Sequence, residues 1–412
     1  MHTKYIYTVM FFGLCSTASL VNCGRNCGDD SRKKPFSKEK DNCRKPVVDD
    51  TTTTSSTTSS TTSSTTPSTT GSTTTYLHFL YGVNQTSNNV SAYSLNSSTG
   101  ALTAVSGSPF TVGAGPTSSA ISPNNKFLYV TNYSANTVSA FTISSTTGAL
   151  TAVSGSPFSS DTAPISAVVS PNGSFLFVAT QNDSVSAYTI DSTTGVLTAI
   201  AGSPFATGST PIAIAIDSTG KFLYVSNNGT NNISVFSVAT TTGILAAATS
   251  SPFTTNSSST PNEMIATSAN FLYTAATGTS KVVVHSMNVT TGFLTPVSGS
   301  PFSTTASSVL FTDPTFAFLY QMTGSANSRV LNGYTMNSST GAIAAIASFP
   351  SIGTLNYRGC FSADATFMYL PVGNTLQGYS VNSSTGIPTA LSPASVAAGT
   401  LPNSCNGIKI AQ

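Results

Sequence analysis

Few side chains after residue 75 are suited to ionic or acid–base chemistry, because only thirteen residues from Tyr76 to Gln412 are charged, six basic and seven acidic. Two of them interrupt places where related segments of the chain carry Ser, Ala, Ile or Val: Glu263 in TPNEMIA and Arg358 in LNYRGC. An isolated charge in such surroundings is costly, so each must be solvated, paired or bound to something. Both are candidate ligand-binding residues, and charges standing in water are the alternative.

The imidazoles and the aspartates indicate packing and turns rather than chemistry. His285 lies seven residues before Gly292, where other repeats of the chain place Tyr or Phe, so we expect it in an aromatic core column. His78 occupies the place of Lys126 in the next repeat, and we expect it in an exposed turn. Five aspartates stand in turn-forming words and are expected to form turns: Asp161, Asp183, Asp191, Asp217 and Asp364.

These positions follow from an internal repeat of seven units. Thr-Gly before an apolar residue recurs every 45 to 49 residues, with its glycine at Gly100, Gly148, Gly195, Gly243, Gly292, Gly341 and Gly386. FLY or a close variant begins at Phe79, Phe127, Phe175, Phe222, Phe271, Phe318 and Phe367. The word SPF has its proline at Pro109, Pro157, Pro204, Pro252 and Pro301. Repeats of this length are typical of arrays of supersecondary units.

One repeat is predicted to form four short strands joined by tight turns. In residues 116–158, β-branched and aromatic runs alternate with the turn clusters SPNNK, YSAN and SSTTG, and no helix signal is present. Seven such antiparallel units predict an all-β, seven-bladed β-propeller with four strands per blade. The first repeat lacks an innermost strand, and no outer strands follow the last segment. Residues 402–412 are therefore predicted to pair beside residues 78–83 and to close the ring.

Three segments precede the propeller of residues 76–412. Residues 1–22 have the basic start and apolar stretch of a signal peptide, residues 23–50 are a charged linker, and residues 51–75 are a Ser/Thr-rich stalk expected to be disordered. The sequence Leu20-Val21-Asn22-Cys23 resembles a bacterial lipobox, in which Cys23 would carry the lipid. We predict an exported lipoprotein of the outer membrane or cell surface. A secreted or periplasmic protein is the alternative.

The remaining cysteines favour disulfides over metal binding. If the signal is removed and Cys23 carries lipid, four cysteines are left, and an even number in an exported chain allows two disulfides. The favoured pairs are Cys27 with Cys43 and Cys360 with Cys405. The spacings between residues 23 and 43 are poor for metal ligands, and we predict neither a metal site nor a cofactor.

The repeat resembles that of the seven-bladed propeller lactonases, relatives of the propeller-type 6-phosphogluconolactonase, from Tyr76 to Gln412. Family repeats read approximately GPRHxxFxPDGKxxYVxNE, and the matching positions here are Gly115, Pro116, Pro123, Lys126, Tyr129, Val130 and Asn132. The word YVTN, which begins at Tyr129, is also similar to the repeat of surface-protein propellers. The resemblance implies the seven-bladed fold and, for the family, activity on lactones.

The resemblance also implies a catalytic Arg-His pair on the inner strand and a Glu after the second strand, and here this chain departs from the family. In the repeat that begins at Pro116 the three places hold Thr117, Ser118 and Tyr133, and in the last repeat Arg358 falls on the place of the histidine. We therefore predict no catalytic residues and interpret the chain as a membrane-tethered binding or interaction module. A divergent lactonase or cyclase is the alternative.

The charge balance limits the partners. With six basic and seven acidic residues, the propeller segment offers no reason to expect nucleic acid. The expected partner is a protein or a small ligand at the mouth of the central channel. We expect a monomer that is attached to the membrane through a lipid anchor.

Overall fold

The computed structural model describes residues 76–249, 251–254, 260–277, 280–304, 307–324, 329–355, 358–397 and 402–411. Its regular elements are β-strands, which form seven antiparallel sheets arranged in a ring as the blades of a propeller. No described residue lies in a helix, so this part of the chain contains no helix long and apolar enough to cross a membrane. The predicted all-β, seven-bladed propeller is confirmed.

The first three blades use fifteen strands, one of them from the end of the chain. Blade 1 contains β1 (Tyr76–Asn84), β2 (Asn89–Leu95), β3 (Leu102–Ala104), β4 (Phe110–Thr111) and β34 (Pro402–Ala411). Blade 2 contains β5 (Pro116–Ile121), β6 (Phe127–Asn132), β7 (Thr137–Ile143), β8 (Leu150–Ala152) and β9 (Phe158–Ser159). Blade 3 contains β10 (Pro164–Val169), β11 (Phe175–Thr180), β12 (Ser184–Ile190), β13 (Leu197–Ala199) and β14 (Phe205–Ala206).

The remaining four blades follow in chain order. Blade 4 contains β15 (Pro211–Ile216), β16 (Phe222–Asn227), β17 (Asn232–Val238), β18 (Leu245–Ala247) and β19 (Phe253–Thr254). Blade 5 contains β20 (Thr260–Ala266), β21 (Phe271–Thr277), β22 (Lys281–Met287), β23 (Leu294–Pro296) and β24 (Phe302–Ser303). Blade 6 contains β25 (Ser307–Thr312), β26 (Phe318–Thr323), β27 (Arg329–Met336), β28 (Ile343–Ala345) and β29 (Ile352–Leu355). Blade 7 contains β30 (Cys360–Phe361), β31 (Phe367–Val372), β32 (Thr375–Val381) and β33 (Pro388–Ala397).

Burial decreases from the axis of the ring to its rim. Every residue of the inner strands β5, β10 and β15 is buried, and so is every residue of β6, β11 and β16 beside them. The outer strands β8 and β13 each have one buried and two exposed residues. Strands β6, β11 and β16 begin with four consecutive apolar or aromatic residues because neighbouring blades cover both faces of each sheet.

The two ends of the propeller segment pair with each other. Strand β1 runs antiparallel to β34, with Leu77 opposite Ile410 and Val83 opposite Ser404. The C-terminal strand therefore supplies the inner strand of blade 1, as the sequence predicts. Blade 7 is also joined to blade 1 directly, because the Tyr369 hydroxyl donates to the Gly100 carbonyl at 2.7 Å.

The repeated words FLY and Thr-Gly meet each other at every blade interface. Gly148 of blade 2 has a φ of +72°, and a Cβ at this position would overlap the ring of Phe79 in blade 1. Equivalent overlaps occur between Phe127 and Gly195, Phe175 and Gly243, Phe222 and Gly292, Phe271 and Gly341, Phe318 and Gly386, and Phe367 and Gly100. The turn needs glycine both for its left-handed backbone and for the space the ring occupies.

A tyrosine hydroxyl reinforces six of these seven interfaces. The Tyr81 hydroxyl donates to the Gly148 carbonyl at 2.7 Å, and Tyr129, Tyr224, Tyr273, Tyr320 and Tyr369 make the same bond to the next blade. Blade 3 has Phe177 at this place, which has no hydroxyl. The repeat spacing is thus explained by one set of contacts made around the ring.

The word SPF supplies a hydrogen bond where the outer strand breaks into two segments. The Ser108 hydroxyl accepts the amide of Ala92 on β2 at 2.8 Å. The same bond joins Ser156 to Ala140, Ser203 to Ala187, Ser251 to Val235, and Ser300 to Val284. The serine satisfies an amide that the interrupted outer strand leaves without a backbone acceptor.

Candidate functional site

The inner strand of blade 6 has one edge that faces the axis instead of another strand. Leu310 on β25 lies opposite Gln321 on β26, and its own amide and carbonyl bond to side chains of the two adjacent blades. Glu263 Oε2 accepts the Leu310 amide at 2.7 Å, and Arg358 Nη2 donates to the Leu310 carbonyl at 3.1 Å. Side chains from blades 5 and 7 therefore satisfy an edge that a propeller cannot pair with a further strand.

The structure brings the two candidate charges of the sequence together at this edge. Arg358 Nη1 lies 3.0 Å from Glu263 Oε1, and the two residues are 4% and 1% exposed. They form a buried ion pair, so the interpretation of solvated charges at a channel mouth is wrong. Glu263 lies on the inner strand β20, whereas Arg358 precedes β30 by two residues and is not part of the strand. Contact of either residue with a ligand stays a prediction.

Arg329 is a third buried charge that the sequence analysis missed. It is the first residue of β27, it is 6% exposed, and its charge acts on Glu263. The corresponding place in blades 1 to 5 holds Asn, Asp or Ser with a positive φ: Asn88, Asn136, Asp183, Asn231 and Ser280. This replacement of a turn residue by a cation was a usable signal.

Burial changes the acidity of both members of the ion pair. Burial raises the pKa of Glu263 to about 7, although Arg358, the Leu310 amide and Arg329 all act to lower it. Burial also lowers the pKa of Arg358, against the effect of Glu263. The raised pKa places the protonation of this carboxyl near neutral pH, which is the range in which a carboxyl exchanges protons usefully.

Neutral residues that bond to neighbouring groups fill the places of the family's Arg, His and Glu in blade 2. Thr117 and Ser118 are buried on β5, and the Thr117 hydroxyl lies 3.0 Å from that of Thr131 and donates to the Pro164 carbonyl at 3.3 Å. The Tyr133 hydroxyl, which follows β6, donates to Gln181 Oε1 at 2.7 Å. None of these three residues is an arginine, a histidine or a carboxylate.

The two histidines of the propeller are both buried. His285 packs in the core as expected, 2% exposed, with its ring edge-on to Phe253 at 5.0 Å, and burial lowers its pKa to about 4. The expectation of an exposed turn at His78 is wrong. It lies on β1, is 5% exposed, and places Nδ1 3.7 Å from Asp364 Oδ2, because β1 begins before the FLY word and continues through it.

The aspartates organise turns, as predicted. Asp217 Oδ1 accepts the amides of Lys221 and Phe222, and Asp364 Oδ1 accepts the amide of Thr366. A cavity of about 310 Å³ lies at the turns of blades 6 and 7, and its lining includes Asp313 and Asp364. Asp313 is held by its own turn through Thr315 and Phe318. These carboxylates therefore accept hydrogen bonds within the turns to which they belong.

The cysteine predictions fall largely outside the described residues. Cys23, Cys27 and Cys43 lie outside the described residues, so the lipidation of Cys23 and the disulfide between Cys27 and Cys43 stay predictions. Cys360 is disulfide-bonded. Cys405 lies opposite Gly82 on β34, a strand described through its backbone only, so the pairing of Cys360 with Cys405 also stays a prediction. Among the described residues, no group of three or more His, Cys, Asp or Glu side chains is placed to hold a metal ion.

The profile of the family described as "Lactonase, 7-bladed beta-propeller" matches residues 78–212 and 199–311, which together span more than half of the 412 residues. A sequence search of curated proteins finds no match.

Solved structures share the fold at low sequence identity. A Bacteroides uniformis protein provisionally assigned as a 6-phosphogluconolactonase has a TM-score of 0.67 and 17% identity, covering 81% of this chain and 99% of its own. A protein of Bacteroides fragilis with the same provisional assignment has a TM-score of 0.66 and 18% identity, and the match covers 83% of this chain and 100% of its own. The periplasmic gluconolactonase of Pseudomonas aeruginosa has a TM-score of 0.66 and 16% identity, and the match covers 82% of this chain and 100% of its own. These likenesses show the propeller fold.

Proposed function

The chain belongs to the seven-bladed β-propeller lactonase family, and we propose that this member is an exported, membrane-tethered binding module rather than a hydrolase. One observation carries the proposal: at the free edge of β25, where blades 5, 6 and 7 meet, the carboxylate of Glu263 is bonded to Arg358 and to the Leu310 amide. A guanidinium group supports the binding of anionic ligands. A carboxylate held this way, 1% exposed, is badly placed to activate water.

A lactone assay tests the non-catalytic part of the proposal. The purified full chain should open gluconolactone and 6-phosphogluconolactone no faster than buffer, because the positions that the family resemblance marks as catalytic hold Thr117, Ser118 and Tyr133. Loss of a general acid–base group typically removes roughly 10²- to 10⁴-fold of rate. Proton release in a pH-stat gives the measurement, with Arg358→Ala as the comparison. Turnover that disappears in Arg358→Ala contradicts the proposal.

Export and tethering rest on the sequence of residues 1–75. Cys23 in the lipobox-like segment would be lipidated, and the Ser/Thr-rich stalk would hold the propeller away from the membrane surface. Cys23→Ser should move the protein from the detergent phase to the aqueous phase, and Cys27→Ser, four residues on, should not. Equal partitioning of the wild type and Cys23→Ser would refute the anchor.

Lactone hydrolysis is the second candidate function, and two observations favour it. The chain belongs to a family named for lactonases, and Glu263 has a pKa of about 7 beside a guanidinium. A carboxylate that accepts a proton near neutral pH is suited to act as a general base. For this candidate, Glu263→Gln must abolish turnover while leaving the fold intact by circular dichroism. A Glu263→Gln enzyme with wild-type turnover would exclude this carboxylate as the base.

A further inference from the structure

The ring closes where blade 7 meets blade 1, and the inner strands at this seam differ from those of the other blades. Strands β5, β10, β15 and β25 have six residues each and β20 has seven, whereas β30 has two. Strand β34 reads PNSCNGIKIA, and four of its first six residues are Pro, Asn or Gly, which are depleted in strands. The sequence alone therefore gives the axial side of this seam little support.

The rim of the same seam has the contacts that recur around the ring. The Phe367 ring occupies the space beside Gly100, and the Tyr369 hydroxyl donates to the Gly100 carbonyl at 2.7 Å. The difference between this seam and the others is thus confined to the axis.

Elsewhere in the ring, side chains link adjacent blades near the axis. Between blades 2 and 3 the Thr117 hydroxyl donates to the Pro164 carbonyl at 3.3 Å, and between blades 4 and 5 the Ser226 hydroxyl donates to the Asn262 carbonyl at 2.7 Å. In blade 7 the first residue of β30, Cys360, is buried and disulfide-bonded. A covalent bond therefore takes the place of these hydrogen bonds if the partner of Cys360 lies in blade 1.

The backbone places Cys405 in the strand beside β30. Strand β30 lies next to β34, and Cys405 stands on β34 opposite Gly82 of β1. The four other cysteines precede residue 76 and lie outside the described residues. A disulfide between Cys360 and Cys405 would join the inner strands of the last and first blades and close a loop of about 45 residues.

We propose that Cys360 and Cys405 form a redox-sensitive clasp on the ring: the disulfide holds β34 on β1, and its reduction releases β34 and opens the inner edge of blade 1. Outside the cell the clasp is closed, because exported proteins keep their disulfides in an oxidising environment. Once β34 leaves, β1 presents a row of unpaired backbone groups that can pair with another strand. This inference goes beyond the proposed binding function and does not depend on it.

The reductant that opens the clasp is a dithiol. One of its thiolates attacks a sulfur of the protein disulfide and forms a mixed disulfide, which the second thiolate then resolves. The protein S–S bond breaks, two electrons and two protons pass to Cys360 and Cys405 as two thiols, and the dithiol becomes a cyclic disulfide.

Peptide mapping and hydrogen exchange of the folded full chain test the clasp. Without reductant, mass spectrometry should find the peptides that contain Cys360 and Cys405 linked, and dithiothreitol should separate them. Reduction should speed amide exchange in residues 402–411 and 76–84 roughly tenfold or more, because the closed loop no longer restrains the strand. Exchange in residues 211–227 of blade 4 should not change.

Serine variants assign the effect to this bond. Without reductant, Cys360→Ser, Cys405→Ser and the double variant should show the exchange of the reduced wild type to the same extent, because each removes the same bond. Dithiothreitol should have no further effect on the double variant. The matched control is Cys27→Ser, which removes the other predicted disulfide and should keep exchange in β34 slow. If the serine variants fail to fold, the reduced wild type provides the test.

Three results would overturn the inference. The first is a linked peptide that joins Cys360 to a cysteine before residue 76. The second is unchanged exchange in residues 402–411 after alkylation shows that both thiols are free. The third is an equal acceleration in all seven blades, which would mean that the bond supports the whole fold and not the seam between blades 7 and 1.

Discussion

At the Thr-Gly turns each blade meets the next through the same aromatic ring and the same glycine, whereas at the axis blades 5, 6 and 7 meet through charges absent from β5, β10 and β15. The first contact is neutral, repeated and independent of any ligand. Among the described residues, the second joins Glu263, Leu310 and Arg358 at a single position. Repeated positions maintain the ring, and the position where the repeat is broken is where a specific function is to be sought.

The largest expected effect comes from breaking the ion pair. Glu263→Ala leaves Arg358 buried without its counter-charge, which should lower the free energy of unfolding by about 3–5 kcal/mol. The matched control is Ser166→Ala, which gives β10 the residue that blade 4 has at the same place, Ala213. Urea unfolding measures both. If Glu263→Ala lowers the free energy of unfolding no more than Ser166→Ala does, the ion pair does not stabilise the contact between blades 5, 6 and 7.

The Thr-Gly turn should be almost as sensitive. Gly148→Ala combines a left-handed backbone with overlap on Phe79, so we expect a loss of roughly 2–4 kcal/mol. Gly373→Ala isolates the backbone term, because Gly373 has a φ of +57° but no atom within 4 Å of the added Cβ. The difference between the two variants, measured by urea unfolding, is the contribution of the ring contact. Equal losses of the free energy of unfolding would show that the contact with the Phe79 ring does not contribute.

The tyrosine bond between blades should have a smaller effect. Tyr81→Phe removes the donor to the Gly148 carbonyl and should cost about 1 kcal/mol. The reverse change, Phe177→Tyr, gives blade 3 the hydroxyl that the six other interfaces have, and we expect it to stabilise the protein by a similar or smaller amount. Thermal unfolding of both variants checks the sign. Stabilisation by Tyr81→Phe would contradict the bond's structural role.

The net pH dependence of stability should be the weakest effect, because His285 and Glu263 contribute with opposite signs over nearly the same pH range. Because the pKa of His285 is lowered to about 4 from its usual 6.5, the unfolded chain binds more protons between these values, so the contribution of His285 to stability falls as pH drops from 6.5 to 4. Because the pKa of Glu263 is raised to about 7 from 4.5, the contribution of that carboxyl falls as pH rises from 4.5 to 7.

Two substitutions separate these slopes. His285→Tyr, which restores the residue of other blades at this place, should remove the acid-side loss, and Glu263→Gln should flatten the loss between pH 4.5 and 7. Thermal unfolding at half-unit pH steps measures both. An unchanged acid-side slope in His285→Tyr would show that another group causes it.

The repeat words determined most of this fold by themselves. Each of the words Thr-Gly, FLY and SPF supplies one side of a contact that recurs from blade to blade, so their spacing predicts the number of blades. The missing inner strand of the first repeat predicts closure of the ring by residues 402–412. The same reasoning placed His285 correctly, because a position in a repeat is defined by its neighbours in equivalent blades.

Only the tertiary structure decided what the charges do. Glu263 and Arg358 are far apart in sequence, and each breaks the repeat in a different blade, so the pattern marks both as exceptions without showing that they meet. Their meeting depends on the free edge of β25, where the amide and carbonyl of Leu310 require partners from both adjacent blades. The burial and the charge balance of Glu263 and Arg358 are set by blades 5, 6 and 7 together, because they depend on the surroundings of each side chain and not on its position in the repeat.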